Sequence, residues 1–322
     1  MRLAPPNRST SHPLLAHVSK GWFVVSLAII LVAALAAPAA DGNKLFLWEV
    51  SGDKGKAYLL GSIHLARPEL YPLDETIENA FAQSGTLVVE VNLNDIDEGA
   101  LQQKALFAGV YGDGRKLEHQ LSPETLDELK WFLDARAIPF SPFNAMKPWL
   151  VAMAITAAEM LKKGYSPEFG IDKHFLSQAK AAGKPVRALE SADFQIELLA
   201  GFPDDEQDRF LLYTIQQASE TADVVEDMMG AWRSGDVEKL EELLVEVVRE
   251  DEKLKPLFYK LFDSRNNDMT SKVGAMIDSG GTWFVVVGAG HLVVETGIVQ
   301  QLSQGDRRLE IRQLSAATAA VR

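Results

Sequence analysis

The stretch TWFVVVGAGH, residues 282–291, predicts a buried strand that is followed by a sharp turn and a histidine. Its first part, TWFVVV, is an uncharged run of β-branched and aromatic residues, which is typical of a strand covered on both faces. Gly288 lets the backbone turn as it leaves the strand, and Gly290 lets it pass close to a ligand. We therefore expect His291 at the end of a buried strand.

A second strand with the same ending lies far upstream in the chain. Residues 56–60 run into GSIH, so that His64 follows Gly61 at the same spacing at which His291 follows Gly288. Further short apolar runs predict strands at residues 45–50, 86–91, 185–189 and 309–313. Each GxxH motif is a weak signal by itself, because a single histidine after a strand is more often structural; the pair of motifs is the informative feature.

Helical patterns separate most of these strands, at residues 73–83, 257–277 and in GIDKHFLSQAKAAGK, which extends from a capping Asp172 to a terminating Gly183. This order predicts an α/β fold with a mixed, mainly parallel sheet flanked by helices. The middle of the chain, about residues 121–250, has apolar residues at helical spacing and is interpreted as an inserted helical cap. The cap either forms one wall of a cleft or only contributes to the hydrophobic core.

The first 39 residues differ from the rest of the chain. They contain basic residues but no acidic residue, and they include the uncharged run GWFVVSLAIILVAALAA at residues 21–37. Small residues follow this run, so we predict a signal peptide cleaved after Ala36 or Ala39, with an uncleaved membrane anchor as the alternative. Both alternatives place a single domain, residues 40–322, in the periplasm or outside the cell.

The composition excludes some functions. The formal net charge is −13 and the acidic residues are spread along the chain, which argues against a nucleic-acid-binding protein or one held to anionic lipid by its general charge. We expect membrane contact only through an uncleaved N-terminal segment. The chain has no cysteine, so a packed core without disulfides must stabilise it.

Four predicted strands end at residues that can bind a metal ion or transfer a proton: His64, Glu90, Glu190 and His291. Because the carboxyl ends of strands form the ligand crevice in open α/β sheets, we expect these side chains to meet at one edge. Imidazole nitrogens and carboxylate oxygens hold divalent ions such as zinc, and a second carboxylate can act as general base on a bound water.

The carboxylates also have plainer explanations. A buried Glu90 would be costly unless it is paired or bound to metal, but at an edge position it would face water. Glu190 follows a strand and could simply be exposed. His174 lies in the first turn of its helix and faces either the cleft or solvent. Arg265 could hold a substrate carboxylate or an oxyanion, or could pair with Asp263 or Asp268 on the surface.

Several blocks along the chain together resemble the TraB/GumN family, which is related to the Tiki extracellular metalloproteases. The blocks are LWEVSGDKGKAYLLGSIHLA, VVEVN, KPWL, GIDKHF, GKPVRALES, SRNNDM and VVVGAGHLVVETGIVQQL, and the resemblance as a whole extends over about residues 45–314. The resemblance implies a fold like that of erythromycin esterase-like and ChaN-like proteins. It also implies manganese- or cobalt-dependent proteolysis in which His64, Glu90 and His291 are required, and it places Glu190 and Arg265 in family-typical blocks.

The sequence thus predicts an exported metal-dependent hydrolase that acts on a peptide or another small-molecule substrate. In this hypothesis His64, Glu90 and His291 hold the ion, and Glu190 or a neighbour activates water. Two alternatives are open: a metal-independent hydrolase of the esterase type that uses histidine as general base, and an exported protein that binds metal or haem without catalysis.

Overall fold

The structure of the protein is a computed structural model that describes residues 44–218 and 221–317. The predicted signal peptide or anchor, residues 1–39, lies outside these ranges. Within them, no helix combines the length and the apolar character that crossing a bilayer requires.

The described residues form one six-stranded sheet with the strand order β4-β3-β5-β2-β1-β6. Strands β2, β5, β3 and β4 are parallel to one another, whereas β1 is antiparallel to both β2 and β6. The predicted mixed, mainly parallel sheet is therefore confirmed. The strands are β1 (Lys44–Ser51), β2 (Gly55–Ser62), β3 (Thr86–Val89), β4 (Val186–Ala188), β5 (Gly281–Gly288) and β6 (Glu310–Ser315).

Helices cover the sheet and fill the middle of the chain, as the predicted α/β class requires. They are α1 (Glu75–Gln83), α2 (Glu98–Gly109), α3 (Pro123–Asp134), α4 (Pro148–Lys162), α5 (Ile171–Ala182), α6 (Ala192–Ala200), α7 (Asp204–Gln217), α8 (Thr221–Ser234), α9 (Val237–Glu250), α10 (Lys255–Leu261), α11 (Asp263–Asp278), α12 (Ala289–Val293) and α13 (Ile298–Gln304).

The register of the sheet places the two GxxH motifs side by side. Strands β2 and β5 pair along their whole length, and their last partners are Ser62 and Gly288. Both strands are buried over their second halves because they lie inside the sheet and consist mostly of apolar residues. The two chains therefore leave the sheet next to each other, which positions His64 and His291 in one region.

Two predicted helices have different boundaries in the structure. The stretch at 257–277 is divided into α10 and α11, because Phe262 between them departs from helical geometry with φ −120° and ψ −69°. Helix α5 ends at Gly183 as predicted, with a left-handed φ of 61° that suits glycine. It begins at Ile171, however, with Gly170 at the N-cap, so the prediction that Asp172 caps this helix was wrong.

Candidate active site

Three side chains that the sequence pointed to surround the backbone of Gly288. A Cβ atom built on Gly288 would lie 3.1 Å from Glu90 Oε1, 3.5 Å from His64 Nε2 and 3.5 Å from the His291 ring. His291 Nε2 is 3.8 Å from Glu90 Oε1. The structure thus brings His64, Glu90 and His291 together at the carboxyl edge of the parallel strands.

His64 is held by an aspartate from the start of α5. The Ile171 backbone N–H donates to the Ile63 carbonyl at 3.1 Å, which attaches the start of the helix to the first GxxH motif. As a result, Asp172 Oδ2 lies 2.6 Å from His64 Nδ1, and it also accepts a hydrogen bond from Ser62 Oγ at 2.5 Å. Burial lowers the pKa of His64, but the charge and hydrogen bond of Asp172 outweigh burial and raise the pKa to about 9.

His291 has a neutral partner in place of a carboxylate. It lies in α12, directly after β5, and is 1% exposed. Its Nδ1 is 2.6 Å from Asn266 Oδ1. An amide oxygen can only accept, so Nδ1 carries the hydrogen and Nε2 has the free lone pair. Burial and the positive charge of Arg265 lower the pKa of His291 to about 3, and the ring is neutral.

Glu90 follows β3 and is buried, so the alternative that it faces water was wrong. Its Oε1 accepts a hydrogen bond from the Gly288 backbone N–H. Its Oε2 accepts from Arg265 Nη2 at 3.1 Å and from Gln195 Nε2 at 3.3 Å. Burial raises the pKa of Glu90, but the positive charges of Arg265 and His64 and the hydrogen bond from the Gly288 N–H outweigh burial, so the pKa is lowered.

Arg265 and Glu190 form a buried, bidentate ion pair. Arg265 Nε donates to Glu190 Oε1 at 2.8 Å, and Nη2 donates to Glu190 Oε2 at 2.7 Å. Their side chains are 3% and 4% exposed. The alternative that Arg265 pairs with Asp263 or Asp268 on the surface was therefore wrong. Because both oxygens of Glu190 bind the guanidinium, this geometry favours Glu190 as the residue that holds Arg265 over Glu190 as a general base.

Sequence reasoning missed two contacts of the histidines and misplaced a third histidine. The contacts are Asp172 on His64 and Asn266 on His291; both join residues far apart in sequence, and only the neighbouring blocks GIDKHF and SRNNDM hinted at them. His174 was expected to face the cleft or solvent. Instead it packs on the Tyr71 ring and bonds Glu78 Oε1 through Nε2 at 2.9 Å.

A cleft with a volume of about 320 Å³ opens in front of this cluster. Its lining includes His64, Glu90, Asp172 and Gln195, with Glu98 and Lys173 among the other polar residues. A substrate in the cleft would therefore reach the histidine and the carboxylates directly. Most residues that line the cleft are polar or charged, which suits a substrate with several hydrogen-bonding groups.

The donor types fit a divalent metal ion, but their spacing is wider than a bound ion requires. Both imidazoles are oriented through Nδ1, and the partner on the far nitrogen is the usual arrangement for histidines that bind metal through Nε2. Donors that share one ion lie about 3 Å apart, given metal–ligand distances near 2.1 Å. Within residues 44–218 and 221–317, no group of three or more His, Asp or Glu side chains already has metal-binding spacing.

Comparisons with known proteins agree with the resemblance seen in the sequence. The model of the TraB/PrgY/gumN family matches residues 46–311. "Uncharacterized protein YbaP" of Escherichia coli K12 is 29% identical over 245 residues, which are 76% of this chain and 87% of that protein. The protein of the same name from Shigella flexneri is 28% identical over 246 residues, with the same coverage of 76% and 87%.

A more distant relative is an uncharacterized protein of Treponema pallidum (strain Nichols). It is 23% identical over 177 residues, which are 55% of this chain and 52% of that protein. No solved structure matches the chain.

Proposed function

The chain belongs to the TraB/PrgY/gumN family, and on that premise we propose that it is an exported hydrolase that uses a divalent metal ion to cut peptide bonds. The observation that carries the proposal is the arrangement around Gly288, where two imidazoles and a carboxylate from three separate strand ends meet. Two of these three groups are held in place by partners on their far side.

In this proposal His64 Nε2, His291 Nε2 and Glu90 Oε1 hold the ion. Glu90 Oε1 and His291 Nε2 are 3.8 Å apart, and both would have to move closer together to hold one ion. When bound, the ion would lower the pKa of a coordinated water and polarise the substrate carbonyl. Manganese and cobalt are the first ions to test, because the resemblance to metal-dependent relatives points to them, and zinc also suits this donor set.

The remaining residues of the site orient these donors and balance charge. Asp172 and Asn266 fix the two rings, and Arg265 offsets the negative charge of Glu90 through Oε2 while Oε1 is directed to the site. Gln195 bridges Glu90 and Glu190, with its Nε2 at 3.3 Å and 3.1 Å from their oxygens. The cleft supplies room for the substrate in front of these groups.

A second candidate function, hydrolysis without metal, is favoured by the contact between His64 and Asp172. An aspartate that binds the Nδ1 of a histidine orients the ring for proton transfer at Nε2. With its pKa raised to about 9, His64 would be the general acid. His291, whose pKa is lowered to about 3, is too weak a base to take a proton near neutral pH; its neutral ring would accept a hydrogen bond from the attacking water at Nε2.

Metal analysis of the purified mature chain separates the two functions. The wild-type protein and a His64→Ala, His291→Ala double variant are loaded with manganese or cobalt, dialysed and measured by mass spectrometry, while hydrolysis of a peptide library is followed. The metal-dependent hydrolase predicts about one ion per chain in the wild type, little in the double variant, and turnover that chelators abolish. Equal metal in both proteins overturns it, and turnover without metal supports the second candidate.

A further inference from the structure

A small apolar cavity lies next to His64 on the side of helices α8 and α9. Its volume is about 40 Å³, and its walls include Val225 and Met228 of α8, Leu240 and Leu244 of α9, and the two motif residues His64 and Gly290. Resting on the proposed function, we propose that this cavity binds a short aliphatic side chain of the substrate, next to the bond that is cut.

The cavity owes its shape to glycine in the second motif. A Cβ atom on Gly290 would lie 2.6 Å from the Phe262 ring and 3.2 Å from Leu244 Cδ1. Any larger residue at this position would therefore displace the Phe262 ring and press against Leu244 of α9. Because Gly290 has no side chain, the apolar face of α9 can pack close to the backbone of the second motif. This packing places an apolar wall next to the polar site.

Helix α8, which supplies the other half of the wall, is attached to the first motif at two points. Trp232 Nε1 donates to the Gly61 carbonyl at 2.6 Å. Glu226 accepts a hydrogen bond from Tyr165 Oη at 2.7 Å and pairs with Arg67, which follows the first motif. These contacts hold Val225 and Met228 at a fixed position relative to His64, so the cavity is a defined feature of the fold.

His64 lines both this cavity and the polar cleft that contains Glu90 and Asp172. A substrate that reacts at His64 therefore meets two different environments. Its polar part, with the backbone amides of a peptide, fits the cleft, and one apolar side chain fits the cavity. We infer that the two spaces together determine which bond is presented to the reactive groups.

The size of the cavity selects the side chain. An apolar cavity of about 150 Å³ accepts the six carbon atoms of benzene, so one of about 40 Å³ holds one or two carbon atoms. The alanine methyl group meets this limit, whereas the valine, leucine and phenylalanine side chains exceed it. One methylene more or less in such a pocket changes substrate preference by about tenfold or more.

The first arm of the test measures binding without requiring turnover. The mature chain is labelled with ¹³C at its methionine methyl groups and titrated with the N-acetyl methylamides of alanine, valine and phenylalanine. We expect the Met228 methyl signal, assigned with Met228→Leu, to shift with alanine and not with valine or phenylalanine. The signal of Met229, which is buried on the same helix outside the cavity wall, should stay constant. No shift of Met228 with any probe would overturn the proposal.

The second arm uses substitutions. Met228→Ala enlarges the cavity and should allow the valine probe to bind, whereas the matched control Met229→Ala should keep the wild-type order of the probes. In a peptide library, Met228→Ala should raise the ratio of cleavage beside valine to cleavage beside alanine by about tenfold or more. Size-selective binding without turnover of any peptide would support the cavity and count against the proposed function. Turnover with an unchanged preference in Met228→Ala would overturn the cavity alone.

Discussion

At the scale of single residues, the two motif histidines have the same sequence signature and opposite surroundings. Asp172 and Glu90 raise the pKa of His64 to about 9 against the opposing effect of burial. Burial and Arg265 lower the pKa of His291 to about 3, and Asn266 adds no charge. The motif places a ring at the end of a strand, but the partner from a distant helix decides whether that ring carries a proton.

The first prediction concerns the stability of the metal-free protein at alkaline pH. The pKa of His64 rises from its ordinary 6.5 to about 9 on folding, so the stabilisation is complete below pH 6.5 and is lost as pH rises through 9. In the wild type, the unfolding free energy should decline between about pH 6.5 and 9, and in His64→Gln this part of the decline should be absent. Urea unfolding at a series of pH values measures the unfolding free energy of both proteins. His174→Gln, outside the site, serves as control, and identical pH profiles for wild type and His64→Gln would contradict the assignment.

The second prediction uses Gly288 as a probe of the space between the ligands. Its φ of −49° and ψ of 135° suit alanine, and the new methyl group would lie 3.1 Å from Glu90 Oε1 and 3.5 Å from His64 Nε2. Gly288→Ala should therefore keep the fold and bind metal at least about tenfold more weakly, because the methyl occupies the place of the ion.

Calorimetric titration with manganese, together with thermal unfolding, checks this expectation. Gly230→Ala is the matched control, since a Cβ at Gly230 would meet nothing within 4 Å among the described atoms. Normal metal affinity in Gly288→Ala would show that the ion binds elsewhere.

The third prediction concerns Glu190, for which the sequence suggested a general base. In the structure both of its oxygens bind the buried Arg265. Removing one partner of a buried ion pair costs about 3–5 kcal/mol, so Glu190→Gln should lower the unfolding free energy by an amount near that range and leave most of the metal bound.

A control for this effect is Glu206→Gln, which breaks a more exposed pair with Lys260 and should cost at most about 1 kcal/mol. Denaturant unfolding and metal analysis of both variants provide the two readouts. A Glu190→Gln protein as stable as the wild type but much slower in hydrolysis would restore Glu190 as the base.

At the scale of elements, the alignment of β2 with β5 is what makes one site from two distant motifs. Their pairing ends with Ser62 opposite Gly288. The pairing of β3 with β4 likewise places Glu190 beside Glu90. Just beyond these two strands, the Glu190 N–H donates to the Glu90 carbonyl at 2.8 Å. Parallel strands with apolar interiors and polar ends are enough to gather four ionisable residues at one edge.

The fourth prediction tests the attachment of helix α8 to the first motif. Trp232→Phe keeps most of the apolar volume and removes the indole hydrogen bond to the Gly61 carbonyl. A buried carbonyl without its partner costs about 1–3 kcal/mol, and we expect a loss of stability of that size. Hydrogen exchange should become faster in α8 of the variant and stay unchanged in α2, which packs against α6. Unchanged stability and exchange would mean that the helix is held by its other contacts alone.

Much of this arrangement could be predicted from the sequence. Buried strands have distinctive apolar runs, and the end of a strand is a local property, so His64, Glu90, Glu190 and His291 could be assigned to one sheet edge. The partners could not be assigned in the same way, because Asp172 and Asn266 act across long sequence separations. Asp172 also looked like a helix cap by a local rule, whereas the helix begins one residue earlier, at Ile171.

At the scale of the whole molecule, the net charge of −13 and the N-terminal sequence fit the proposed exported enzyme that binds a cation. The stable frame is the sheet with its covering helices. Three groups whose pKa values change strongly on folding lie at one edge of it: His64, Glu90 and His291. Ionisable groups with strongly shifted pKa values cluster at functional sites in clefts.

The most direct test of the central claim is the location of a bound ion. Crystals of the mature chain, grown near neutral pH and soaked in manganese or cobalt, are measured at the absorption edge of the metal. We predict one strong anomalous peak about 2.0–2.3 Å from His64 Nε2, His291 Nε2 and Glu90 Oε1, in front of Gly288. A fully soaked crystal with no peak at this position, or with its only peak on other side chains, would contradict the claim.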